Sequence, residues 1–236
     1  MIISANQPYF CPFPGFFYKA SLSDVLVILD NVQFPRGTTW ISRNRFKNDQ
    51  GPLWLTIPVW KKGLGLQHIN QVRICYEGRW PYKHLQSLKT AYAHAPYLGD
   101  HLGFLEEVFS RHWERLVDLN LAIIRHLMGS LQIETKLVLL SELGMKAKGT
   151  QLLVETCRAL GASTFLAQSQ AQKYLDANLF QESEIELRLC KYLAPIYPQL
   201  WGDFLANLST FDLAFNCGPR ARDILLRHQP ATSLTC

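Results

Sequence analysis

Paired cysteines are missing from this chain. Six cysteines stand at positions 11, 75, 157, 190, 217 and 236, with no CxxC and no His–Cys ligand spacing among them. That scatter speaks against a zinc site and against the disulfide framework of a small secreted protein, and most of the six sit in apolar contexts that suit small buried hydrophobes. Charge is sparse as well. Only 18% of residues are charged, and 24 Lys+Arg against 19 Asp+Glu leave a net +5. This mild surplus fits an anionic small molecule but lacks the dense basic patch of a nucleic-acid binder, so no nucleic acid is expected. No apolar run reaches the roughly 20 residues that a bilayer demands, so membrane insertion is not expected. The start, MIISANQPYF, has no basic leader, which leads to the expectation of a cytoplasmic protein. Internal repeats, low-complexity segments and linker-like stretches are absent too, and no residue pattern names a cofactor.

What is present is an ordinary globular balance, 48% hydrophobic, on a chain long enough for a substantial core. Residues 2–5 and 24–30 are short Val/Ile-rich runs that read as strands buried on both faces, with a helix over 15–22 between them. Between these strands, three prolines and Gly15 fall within residues 8–15, too many for a regular helix or a central strand. A stiff aromatic loop is therefore expected where the first strand hands over to a helix. Further strands are expected at 54–59, 72–76, 136–140, 163–167 and 185–189. Helices are expected from 81, across 100–130 without a break, at 149–160, 170–178, 208–216 and 220–227. The sum is an α/β fold with a parallel or mostly parallel sheet, flanking helices and a helical layer in the middle of the chain. One domain over 1–227 is expected, with a helical insertion at about 80–130 and residues 228–236 as a frayed tail.

Ordered landmarks give a resemblance. Gln7-Pro8 with Gly15, Asp30-Asn31-Val32-Gln33-Phe34, and Trp40 with Arg43-Asn44-Arg45 open the series. Trp54-Leu55-Thr56-Ile57-Pro58-Val59, Lys83-His84, Ser141-Glu142 with Lys148-Gly149, and Leu160-Gly161-Ala162 continue it. Tyr174-Leu175-Asp176, Ser209, Asp212 and Asn216 with Gly218-Pro219 close it. In these, from Gln7 to about Leu225, the chain resembles the WbqC-like family of bacterial proteins associated with O-antigen and other surface polysaccharides. The resemblance implies a transferase that attaches an aminoacyl group, such as glycyl, to a nucleotide-linked amino sugar in polysaccharide precursor synthesis. One departure stands out: the family tends to carry small residues where this chain has Ala167-Gln168-Ser169-Gln170, and Gln168 would crowd a ligand there.

Candidate site residues come from the same landmarks. In the first loop, Gln7 offers an amide that donates and accepts, Gly15 opens a helix whose free N–H groups suit an anion, and Lys19 follows one turn later; the plain alternative is a rigid corner under the sheet. Arg43 and Arg45, flanking Asn44, project to one face of an extended segment, where two guanidiniums could grip a diphosphate or sit solvated on a sheet edge. Asp30 and Gln33 follow the second strand; Asp30 is a candidate general base or a turn cap. His84 is a second candidate acid or base, with a half-buried histidine bonded to backbone as its ordinary account. Lys148, at a helix entry, could reach a phosphate. Asp212 and Asn216 fall in a greasy helix, where they line a pocket or form an outward face. Cys11 reads as filler.

The strand-loop-helix-strand opening also invites comparison with nucleotidyltransferases that use two histidines one glycine apart. In that slot this chain has Phe13-Pro14-Gly15-Phe16, so the chemistry has no carrier. Two other classes remain open beside the aminoacyl transferase: a non-catalytic module binding a phosphorylated metabolite, and an ATP-dependent nucleotidyl-type transferase of related fold.

Overall fold

The computed structural model describes residues 1–227. Five strands form a parallel sheet: β1 (Ile2–Asn6), β2 (Val25–Ile28), β5 (Lys136–Leu139), β6 (Thr164–Gln168) and β7 (Glu186–Cys190). Their spatial order is β5-β2-β1-β6-β7, and every pairing is parallel. The chain thus starts in the middle of the sheet, builds outward to β5, then returns past β1 to build the other half. Strand order reverses between β1 and β6, and the loops leaving their carboxyl ends diverge there to open a crevice.

Alternation along β2 shows why such a run is all apolar. Leu26 and Ile28 join the core cluster under α1 (Pro14–Ser21), while Val25 and Val27 join the cluster on the opposite face. That opposite face is covered by α5 (Gly149–Leu160) and α6 (Ala177–Glu182), through Leu152, Val154 and Phe180. The α1 face carries the larger layer. Between β2 and β5 the chain inserts an antiparallel hairpin, β3 (Arg43–Asn48) with β4 (Gly51–Thr56), and three helices, α2 (Trp80–Ala91), α3 (Leu98–Ser110) and α4 (Leu116–Ser130). The C-terminal α7 (Thr210–Cys217) and α8 (Ala221–Leu226) pack into the same layer.

Several elements differ from expectation. The helix expected over 100–130 is broken at residues 111–115, because that segment turns extended to meet 72–74: Ile74 N–H donates to Glu114 at 3.1 Å and Leu116 N–H to Val72 at 2.9 Å. Those contacts are isolated bridges, so the strand expected at 72–76 does not form. The strand expected at 54–59 lies earlier, over Gly51–Thr56, since its partner is β3 across a two-residue turn. The helix expected over 170–178 divides into a 3-10 segment (Ser169–Tyr174) and α6, whose first N–H groups are capped by the Asp176 carboxylate. The expected tail at 228–236 lies outside the described residues.

Candidate functional site

The proline-rich loop has lost backbone donors but kept its carbonyls, and buried side chains come from elsewhere to satisfy them. Asn44 Nδ2 donates to the carbonyls of Phe10 (3.0 Å) and Cys11 (2.7 Å), and Asn120 Nδ2 to those of Pro8 and Ile41 (both 2.8 Å). The Pro12 carbonyl accepts from both N–H (2.9 Å) and Oγ1 (2.7 Å) of Thr210. Asn44, Asn120 and Thr210 are all buried. The loop is therefore rigid, and it joins β1, β3, α4 and α7 at one corner above the sheet.

Beside it lies a crevice of about 400 Å³. Tyr9 and Phe13 of the loop form one wall, and Gln168 and Gln170, leaving β6, form another. Tyr192, just past β7, Trp40, Asn44 and Arg45 of the hairpin region, and Asn207 complete it. This is the place where the strand order reverses. Arg45 Nη2 donates to the carbonyls of Ala206 (3.0 Å) and Asn207 (3.3 Å), leaving its buried Nε with no partner. Tyr192 Oη is also buried without a partner, and burial pushes its pKa up, so it holds its proton. Gln168 Nε2 donates to Gly15 O at 3.3 Å. Gln168 is thus a wall residue, pinned to the turn that opens α1. Among the described residues no carboxylate and no imidazole lines the crevice.

Arg43 and Arg45 project to one face, as the alternation requires, and Trp54 of β4, paired with Arg45, lies within reach of both. Arg43 Cζ stands 3.8 Å from the Trp54 ring centre and Arg45 Cζ 5.9 Å. Only Arg45 reaches the crevice. Gln7 is half-buried at the end of β1 and is not among the lining residues. Lys19 points inward: it is buried, its Nζ donates to Ala5 O at 2.8 Å, and burial lowers its pKa to about 8.

The remaining candidates are placed apart from the crevice. Asp30 is buried, its Oδ1 accepting from Ser141 N–H (2.9 Å) and its Oδ2 from Ser141 Oγ (2.6 Å), which ties the end of β2 to the turn after β5. Gln33 is exposed and bridges to His68, and Lys148 is exposed at the entry to α5. His84 sits between Trp80 and Phe109 with Nε2 2.8 Å from Thr56 O; its pKa is lowered by burial.

Asp212 is not on an outward face. It is fully buried, accepting from Tyr92 Oη on Oδ2 (2.7 Å) and from Tyr197 Oη on Oδ1 (2.8 Å), and burial raises its pKa against those two bonds. Asn216 Nδ2 donates back to Asp212 O at 2.8 Å. Cys11 is buried with its thiol pushed well up, unsuited to nucleophilic attack. Among the described residues no group of three His, Cys, Asp or Glu side chains could hold a metal, and no helix is long and apolar enough to cross a membrane.

Sequence reasoning named the turn over residues 167–170 and the aromatic loop that holds Tyr9, but it had no hold on Tyr192 or Asn207. The available signal was positional: Gln170 and Tyr192 follow strands whose carboxyl ends flank the reversal, but that reversal is known only once the sheet order is.

Fold and site together define an α/β protein with a crevice at the reversal point of a parallel sheet. The profile of the WbqC-like protein family matches residues 7–224, and the chain belongs to that family. It is 29% identical over 226 residues to "Uncharacterized protein Rv1507c" of Mycobacterium tuberculosis (strain ATCC 25618 / H37Rv), covering 94% of this chain and 96% of that protein. No solved structure matches it.

Proposed function

We propose that the crevice binds the phosphates of a nucleotide-linked amino sugar, and that the protein attaches an aminoacyl group to the sugar amine during synthesis of a surface-polysaccharide precursor. The observation that carries the anionic ligand is the imbalance of the lining. Arg45 brings a fixed positive charge, and among the described residues the buried donors Tyr192 Oη and Arg45 Nε meet no partner and no carboxylate lines the crevice. The transfer itself rests on the family. In it the sugar nitrogen attacks the carbonyl of an activated aminoacyl donor, the bond to the leaving group breaks, and the amine proton departs with that group or to water. In this reading Tyr192, kept protonated, and the second N–H of the Gln168 amide with that of Gln170 supply donors to a developing oxyanion.

A second reading, a binding module without turnover, is favoured by one observation: among the described residues no carboxylate or imidazole lines the crevice, Asp30 being bound to Ser141 and His84 to Thr56. A thermal-shift panel of nucleotide sugars, nucleotides and sugar phosphates tests the common part of both readings. A nucleotide sugar should raise Tm progressively with the logarithm of its concentration above Kd, and Arg45→Ala should remove the shift. An unchanged shift in Arg45→Ala would sink the assignment of the phosphates. Incubation with an aminoacyl donor and the stabilising sugar, followed by mass analysis, then separates transfer from binding alone.

A further inference from the structure

Two large indoles lie open, one of them at the crevice and the other stacked on it. Trp40 and Trp54 are 45% and 42% exposed, stacked with ring centres 5.8 Å apart at 29°. Arg43 lies 3.8 Å from the Trp54 ring centre. Trp40 itself lines the crevice together with Arg45. Its backbone is not free to move: Trp40 O accepts from Phe10 N–H at 2.9 Å, and the neighbouring Thr39 Oγ1 accepts from Ile41 N–H at 3.2 Å, beside a fully buried Ile41 side chain. The rigid proline-rich loop and the aromatic pile are therefore one piece.

We infer that Trp40 is a stacking platform for the nucleobase of a nucleotide whose phosphates lie against Arg45; this rests on the reading that the crevice takes phosphates. A base is favoured over a sugar ring by what stands behind Trp40. An indole backed by a second indole and a guanidinium presents a flat π-face, and a planar base gains more from such a pile than the C–H edges of a saturated ring. Base stacking on an aromatic side chain is sequence-tolerant, so the platform confers preference for a nucleoside over bare phosphate without choosing the base. The order of parts follows from the shared lining. The base rests at the exposed mouth, the phosphates at Arg45, and the remaining end runs inward to Tyr192 and Gln168.

The test is calorimetric binding of UDP, ADP and inorganic pyrophosphate to the full chain and to Trp40→Ala, Trp40→Phe and Arg45→Ala. The intact protein should bind both nucleoside diphosphates more tightly than pyrophosphate. Trp40→Ala should lose roughly ten- to a hundredfold for the nucleoside diphosphates and nothing for pyrophosphate, Trp40→Phe should recover part of that loss, and Arg45→Ala should weaken all three. Equal nucleoside diphosphate affinity in Trp40→Ala and the intact protein, with pyrophosphate still bound, overturns the platform and leaves the phosphate site standing. Binding of none of the three overturns both. A Trp40→Ala variant that binds normally but changes apparent size on gel filtration would make the indole pair a protein contact, also against the inference.

Discussion

A Cβ built on Gly15 would stand 2.7 Å from Cδ1 of Tyr192 and 2.4 Å from Cε2 of Phe13, so the ring of Tyr192 rests directly on the backbone that opens α1. Only glycine lets the crevice wall close this far. Gly15→Ala should push Tyr192 or Phe13 off its seat, lowering stability by about 1–3 kcal/mol in denaturant titration and weakening any anion bound in the crevice. A variant with unchanged midpoint and unchanged binding would mean the wall gives way at no cost.

Asp212 anchors the segment that carries Tyr192. Besides the two tyrosine hydroxyls, Lys47 beside it is buried and donates to Asp203 O (2.6 Å) and Gln199 Oε1 (3.3 Å), so hairpin, α2, α7 and the 197–203 stretch meet at one buried cluster. Asp212→Ala leaves two buried hydroxyls without an acceptor and should cost at least about 2 kcal/mol, measured by chemical unfolding. Tyr197→Phe should cost less, because it takes one donor from Asp212 Oδ1 and leaves the bond from Tyr92 in place.

Asp30 offers a discriminating substitution. Its carboxylate is spent on Ser141, so Asp30→Asn should lower the melting temperature and leave binding at the crevice intact. Loss of turnover at full stability would instead make it a base.

The pair His101–His126, with Nδ1 and Nε2 at 2.9 Å, should make the fold sensitive to acid. Burial lowers both pKa values, and for His126, stacked on Phe104, burial and then the charge of His101 bring it to about 4. Between pH 6.5 and about 4 the unfolded chain binds more protons than the folded one, so stability falls as pH falls through that window and is unaffected above it. Solvent reaching part of the His126 ring reduces the effect to about 1–2 kcal/mol. Unfolding curves from pH 7.5 to 4.5 should show the loss, and His126→Phe should flatten it.

Lys19 works in the opposite range. Its pKa of about 8 lies below the ordinary 10.5, so the folded chain binds fewer protons than the unfolded one between those values, and this group adds stability as pH rises through them. Buried tyrosines and cysteines with raised pKa values oppose it. The contribution is therefore read as a difference: the intact protein minus Lys19→Met should gain stability from pH 7.5 to 10.

Much of the sheet was legible because a strand buried on both faces must be apolar throughout, as Val25–Ile28 is. The break at 111–115 was not legible, since the apolar stripe runs on across it and only the partner segment 72–74 pulls the backbone straight. At the site, alternation placed Arg43 and Arg45 on one face, but it said nothing of the Trp54 ring beside them, which comes from the paired strand. Lys19 and Asp212 read as pocket residues because charge in an apolar helix suggests a ligand; here each is answered inside the protein, by Ala5 O and by two tyrosines.

By itself the sequence determined the parallel α/β class, the stiff proline-rich turn and the membership of a family, because period, proline geometry and ordered landmarks are local properties of the chain. Tertiary structure decided which polar groups are spoken for and where the crevice opens. Both depend on the strand order β5-β2-β1-β6-β7, which brings residues 9, 45, 168 and 192 together across separations that no local pattern records.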